Sequence, residues 1–520
     1  MNEPSAVFVQ VGPSDTQTTA VRTGATWSAP GVDVTWADGV IDVSAQTVSR
    51  VALRWVEPLP AEALILGDAW ERSYGDLQWR HQQPERLLPW YFLTHDPRTG
   101  RSSGAGVDVQ PNAFCSWTVD ADGFTLWLDL RNGGGPTQLN GRTLTAATVR
   151  RFEDAGTPWL TLHAAVAAMS SRLPARPEPA PVVGANNWYY AYGENFDEKA
   201  VLNDATTIVE LADGHPVKPF SVVDDGWYPG GIAVGGPWDA GTPGVFDDMA
   251  GTAAAIKAIG ARPGLWFRPL LSREPGPWGI PDRRVRTLDP SYPEVLDLVR
   301  ADLRRFKDWG FELVKHDFST FDVFGRFGPA MGSELTNSGW QFHDVTRTTA
   351  EIVLAFYREI RSAADDVVLI GCNTVGHLAA GLVDVQRTGD DTSGRDWERT
   401  RKMGVNSLAF RLPQHNRFFT VDADCVPCTP ETPWELNQRF LDLIARSGTA
   451  LFVSVDPAAR TEQSDRALSE GIRLALSGGD ASGIEPADWL VNTAPTSWRS
   501  GAETIHYDWS RAWGADPVSS

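Results

Sequence analysis

The apolar positions of the chain follow two rhythms, one on each side of a proline-dense stretch. Up to about residue 155, runs rich in Val, Thr, Trp and Leu, such as VRTGATWSAPGVDVTWADGVIDVS, SRVALRWVEPL and FCSWTVDADGFTLWLDLRNGGG, are broken by Gly, Pro, Asn and Asp. Short runs of this kind, with turn residues about every 8 to 12 positions, predict a β-sandwich. A helical segment, WLTLHAAVAAMSSRL at 159–173, closes it, and PARPEPAPVV at 174–183 reads as a stiff extended linker. Past the linker, strand patterns alternate with helical ones. Strands are predicted at 186–193, 218–227, 261–271, 311–318, 367–373, 383–391, 418–426 and 450–457, with DEKAVLNDATTIVELA, PEVLDLVRADLRRFKDWG and TAEIVLAFYREIRSAA among the helices. The fifth connection, GHLAAGL, is short. Such units over about 290 residues predict a closed (β/α)8 TIM barrel rather than an open doubly wound sheet, and no glycine-rich nucleotide turn follows any strand.

The expected organisation is therefore α/β. An N-terminal β-sandwich domain with its closing helix spans 1–173, a linker 174–183, the barrel 184–480 and a short C-terminal β extension 481–520. The extension is too short to form a core of its own.

Charge and composition remove several function classes. Acids outnumber bases 66 to 46, a net charge of −20, so the basic footprint of a nucleic-acid binder is missing and anionic membranes would repel the chain. The four cysteines form no disulfide framework, and Cys425 and Cys428 lack the second ligand pair of a zinc site, so neither metal nor cofactor is expected. The start shows no basic region followed by an apolar one, and no run approaches the ~18 apolar residues of a membrane span, so a cytoplasmic location is expected. The 22 tryptophans, against nine tyrosines, are spread over all regions and are read mostly as core.

In a barrel of this type the active site lies at the C-terminal ends of the strands. Those ends are acidic here: Asp224 and Asp225 on the second, Asp317 beside Lys315 and His316 on the fourth, Asp390 and Asp391 after Arg387 on the sixth, Asp422 and Asp424 on the seventh, Asp456 on the eighth. A turn explains any single Asp, but not acids at most strand ends. Alternation puts Lys315 and Asp317 on one face, inward, and His316 behind the strand. Paired carboxyl groups are what glycoside hydrolysis requires, and a separation of roughly 5 to 5.5 Å implies a covalent, retaining route. The cation of Lys315 favours an ionised Asp317, which suits a nucleophile. The adjacent charges of Asp390 and Asp391 are expected to raise the pKa of one of them, which suits an acid.

These residues resemble glycoside hydrolase family 36, the clan-D α-galactosidases and raffinose-synthase-like enzymes. KHDF resembles the family's K-x-D nucleophile motif and RTGDDTSG its acid/base motif; VVDDGW, GLWFRP, LDPSYPEV and GCN match further motifs in the expected order over about 220–395. The resemblance implies Asp317 as nucleophile and Asp390 as general acid/base. It implies Asp224 and Asp225 as acceptors from O4 and O6 of galactose, Lys315 as a donor to a neighbouring hydroxyl, and Trp227 and Trp266 as apolar faces for the sugar. Cys372 resembles a small pocket residue, Arg286 an arginine that reaches the sugar, and Arg387, Asn373 and Asp391 join the substrate-binding set. Trp70, in GDAWERSYGDLQW, is the candidate from the N-terminal domain. Two positions depart from the family: Arg268 stands at the pocket rim where GLWFEPE has Glu, and CNTVGH replaces a glycine-rich turn, bringing Asn373 and His377 near the C2 and C5 substituents. The implied function is a retaining exo-hydrolase of terminal α-galactosyl residues, acting on a small oligosaccharide or glycoside without cofactor. The alternatives are another galacto-configured glycone (β-L-arabinopyranoside, α-N-acetylgalactosaminide) and a raffinose-synthase-type transglycosylase. A homo-oligomer is compatible with the family.

Overall fold

The computed structural model describes residues 2–12, 16–174, 180–232, 234–281 and 286–511, so half of the expected linker, 175–179, lies outside the described residues. Before it, two antiparallel sheets face each other, one six-stranded and one nine-stranded. The alternation read from the sequence is the alternation of burial: in Val32–Ala37, Val32, Val34 and Trp36 are buried while Asp33 and Ala37 are exposed. The space between the sheets is filled by aromatic rings, with Trp55 5.5 Å from Trp36, 5.6 Å from Phe124 and 6.1 Å from Trp117. The closing helix, Pro158–Met169, starts where the Thr157 side chain accepts from the Leu160 N–H and proline occupies the first turn.

The parallel strands that follow are β1 (Val183–Asn186), β2 (Phe220–Val223), β3 (Arg262–Phe267), β4 (Leu313–His316), β5 (Val368–Gly371), β6 (Val385–Arg387), β7 (Thr420–Asp422) and β8 (Leu451–Val455). β7 is broken at Asp424, which sits at φ 75°; Thr420–Asp422 pairs with β6, while the continuation Val426–Cys428 pairs with β8. The Ala450 N–H donates to the Val421 carbonyl at 2.9 Å, and β1 pairs with both β2 and β8, so the sheet closes. A TIM-like barrel preceded by a β-sandwich is the fold.

One strand lies earlier than its predicted run. β1 is the small, apolar VGAN, buried throughout, whereas the aromatic run Trp188–Ala191 forms a single helical turn ended by Tyr192 in the left-handed region. A strand buried on both faces shows no alternation, and aromatic content drew the reading to the wrong neighbour. The short fifth connection is present as Gly376–Ala379. The sixth is composite, Trp397–Thr400, a π-helical turn Arg401–Val405, then Asn406–Arg411.

The last strands, Glu485–Pro486, Ser497–Ser500 and Glu503–His506, form a three-stranded antiparallel sheet. It is held from both sides: Trp489 packs against Trp79 and Trp159 of the sandwich region, and Trp509 accepts at its carbonyl from the Trp397 indole at 3.0 Å. All four cysteines are buried and unpaired. Among the described residues no helix is long and apolar enough to cross a membrane, and no cluster of His, Cys, Asp and Glu could hold a metal ion.

Candidate active site

The acidic strand ends converge at one mouth of the barrel. β4 delivers Lys315 inward and His316 outward, as alternation requires. His316 is 1% exposed against the rings of Phe356 and Tyr357, and burial lowers its pKa to about 4. The next residue, Asp317, is buried and accepts three hydrogen bonds, from the Trp266 indole at 3.0 Å, the Phe318 N–H at 2.7 Å and the Asn373 N–H at 3.2 Å. Burial opposes its ionisation, but the cations of Lys315 and Arg72 and the Trp266 hydrogen bond hold the carboxyl below its usual range.

Asp224 and Asp225 follow β2. The Lys315 ammonium donates to Asp224 at 2.7 Å, and Asn186 at the end of β1 donates to the same oxygen at 2.5 Å. Asp225 accepts from the Tyr228 hydroxyl at 2.8 Å. Burial, with the charges of Asp224 and Asp317 adding, pushes Asp225 up to about 7 against that hydrogen bond. The turn that follows needs Gly226, at φ 112°, because a Cβ there would stand 2.5 Å from the Gly193 carbonyl oxygen.

β6 contributes Arg387 and the acid pair. Arg387 is 2% exposed and bonds Asp424 at 3.0 Å, Asp391 at 3.1 Å and the Cys372 sulfur at 3.7 Å. Asp390 lies between two guanidinium groups, Arg72 at 3.0 Å and Arg399 at 2.5 Å. The side chain of Asp391 is 37% exposed and also touches Arg72, at 3.4 Å. The expected rise in the pair does not occur at Asp391: its partial burial opposes ionisation, but Arg387, Arg72 and Lys315 hold it at about 2. Arg387, four residues away, acts on it together with Arg72 and Lys315 from distant segments. Besides Asp225, the carboxyl raised at this end of the barrel is Asp422 on β7, which burial pushes to about 7.

Several expected residues are placed differently. Trp227 is fully enclosed, donating its indole N–H to the Trp266 carbonyl at 3.0 Å and packing on Phe306 and Trp309, because the Gly226 turn sends it behind the sheet. Trp266, 1% exposed, holds Asp317 and offers no open face. Arg268 is buried rather than at a rim, bound through two nitrogens to Asp322 at 3.0 and 2.6 Å over the face of Phe318. The Asn373 amide is engaged by Glu71 and by the Phe321 N–H, and Cys372 is fully buried. His377 turns to the sandwich, stacked on Trp90 at 4.7 Å with its ring nitrogen on the Val107 carbonyl. Arg286 is exposed, outside the buried cluster. Asp456 caps a short helical turn through the Ala458 N–H. Trp70 donates to the Gly332 carbonyl and lines a separate cavity of about 250 Å³ with Phe114, Trp127 and Glu334.

The residues after Trp70 are the ones that reach the site. Arg72 contacts both acids of β6, and Glu71 bonds Asn373. Sequence reasoning stopped at the aromatic residue and passed over the charged pair beside it. Arg399 was missed too, since its helical position gives no sign that it reaches Asp390.

No family model matches the chain, and no curated protein matches it. Solved structures do. The α-galactosidase of Thermus thermophilus in complex with p-nitrophenyl α-D-galactopyranoside superposes with a TM-score of 0.63 at 18% identity, over 97% of this chain and 99% of that one. A family 36 α-galactosidase of Geobacillus stearothermophilus in complex with 1-deoxygalactonojirimycin gives 0.57 at 15%, over 91% and 72%. The α-galactosidase from Lactobacillus brevis gives 0.55 at 15%, over 91% and 68%. With superpositions that span nearly the whole chain, the protein has the fold of the glycoside hydrolase family 36 α-galactosidases.

Proposed function

We propose that the protein is a retaining exo-glycoside hydrolase for terminal α-galactosyl or similarly configured residues. The observation that carries this reading is Asp317, a buried carboxylate kept ionised by Lys315, Arg72 and the Trp266 indole, at the same barrel mouth as the acid pair of β6. Asp317 attacks the anomeric carbon and displaces the leaving oxygen, which takes a proton from the β6 pair, assigned by the resemblance to Asp390. The same carboxylate then deprotonates the water that releases the sugar. Asp224 and Asp225 supply acceptors for glycone hydroxyls. The reading takes a small glycoside or oligosaccharide as substrate and needs no cofactor.

A panel of p-nitrophenyl glycosides tests it with the wild type, Asp317→Ala and Asp390→Ala. Cleavage of α-galactosides or their stereochemical relatives is expected. Azide should restore turnover of Asp317→Ala and yield a glycosyl azide of inverted configuration. A wild type that cleaves none of the panel would refute the reading. Light scattering on the eluted protein tests for a homo-oligomer, and product analysis with an acceptor sugar tests for transglycosylation.

A further inference from the structure

We infer that Arg72, carried by the N-terminal sandwich region, is a positioning residue that ties the acid pair of β6 to Asp317 and sets the pH range of the reaction. This rests on the glycosidase reading above. The segment that bears Arg72 is built onto the barrel. Asp68 accepts from Arg411 at 2.8 Å and from Gln414 at 3.0 Å, and the Trp70 indole holds the Gly332 carbonyl at 3.0 Å. Ser73 then pairs with the end of β6 like a parallel strand: its N–H donates to the Thr388 carbonyl at 2.8 Å, and its carbonyl accepts from the Asp390 N–H at 2.8 Å. The backbone that presents the acid pair is therefore hydrogen-bonded to the backbone that presents Arg72.

From that position the guanidinium bridges Asp390 at 3.0 Å and Asp391 at 3.4 Å, with its side chain 6% exposed and the rings of Tyr74 and Phe327 about it. Glu71 makes a parallel connection. It accepts from the Gly328 N–H at 2.8 Å and from the Asn373 amide, and the Asn373 N–H donates to Asp317 at 3.2 Å. The titratable groups facing Arg72 are Glu71 and Tyr74 on its own segment, Asp390 and Asp391 from β6, and Cys372 after β5. Asp317 feels the same cation, with Lys315 on β4 acting in the same sense. Arg387 and Arg399 hold the outer sides of the acid pair. Burial restrains Arg72 from carrying charge, but the carboxylates beside it keep it cationic.

The Arg72 cation, with Lys315, holds the Asp317 carboxyl below its usual range, so its removal must raise the pKa of the nucleophile. The test is the pH dependence of kcat/KM on an aryl glycoside that the wild type cleaves. Arg72→Met should shift the acid limb of the profile, which reports the ionisation of Asp317, upward by about 1 unit, and Arg72→Gln, which keeps amide donors, should do the same if the Met variant fails to fold. Arg72→Lys should leave the acid limb near its wild-type position while kcat falls. Trp70→Phe, which loosens the same segment without changing charge, should leave the acid limb in place. Neutral variants that only scale the profile, without moving it, would overturn the proposal while leaving the glycosidase reading intact. A wild type that cleaves nothing would overturn both.

Discussion

The Lys315–Asp224 pair offers a test of how much the site contributes to stability. Its nitrogen and oxygen are 2.7 Å apart, with side chains 9% and 3% exposed. Replacing Lys315 by Met removes the cation and leaves the anion buried, a change that typically costs about 3 to 5 kcal/mol. Asp224 would keep two donors, the Asn186 amide at 2.5 Å and the Asp225 N–H at 2.9 Å, so the low end, about 3 kcal/mol, is expected. A domain of this size loses roughly 2 to 4 °C of melting temperature per kcal/mol, so the barrel transition should fall by about 6 to 12 °C, read by calorimetry at one scan rate. Lys315→Met with Asp224→Asn replaces the stranded anion by a neutral amide that keeps its acceptor, and should recover at least half of the loss. The single variant should also fail earlier on acidification. A depressed carboxyl stabilises the fold above its unfolded pKa and loses that contribution as pH falls through its folded one; without Lys315, Asp317 reaches that point at higher pH. A drop below about 2 °C, or a double variant no better than the single one, would refute this account.

Three further outcomes follow from groups at and beyond the site. Arg268→Lys loses the two-pronged contact to Asp322 and the Phe318 face, which an ammonium cannot reproduce. About 1 to 2 kcal/mol should be lost, and an unchanged melting temperature would count against it. Asp204, buried and accepting from the Tyr190 hydroxyl at 2.6 Å, is pushed up to about 7 by burial. Its contribution is complete below the unfolded value near 3.8 and shrinks by up to about 1.4 kcal/mol per pH unit as pH rises towards 7. Asp204→Asn should therefore match the wild type near pH 4 and exceed it at pH 8; a wild type more stable at pH 8 would contradict the burial assignment. Finally, Ellman's reagent should reach none of the four buried thiols in the native protein and all of them after unfolding in guanidinium, and rapid native labelling would show that the barrel opens.

Much of the architecture was legible in the chain because periodicity is local. Alternation in Val32–Ala37 marked the sandwich, and the repeated pattern of apolar run and amphipathic helix marked the barrel. Where locality failed, so did the reading. β1 has no alternation because both its faces are buried, and the break in β7 at Asp424 is a matter of closure between β6 and β8.

The site divides in the same way. Alternation along KHDF was enough to turn Lys315 and Asp317 inward and His316 outward, since within one strand the backbone dictates which side chains share a face. What those side chains meet is decided by segments hundreds of residues away: Arg72 against Asp390 and Asp391, Glu71 against Asn373, Asn186 beside Asp224. Only the tertiary structure sets Asp391 low and Asp422 high, because a carboxyl's pKa depends on the charges and solvent around it in space. The chain by itself determined which carboxylates stand at the barrel mouth; folding decided which of them carry charge, because burial and guanidinium contacts are properties of the packed molecule.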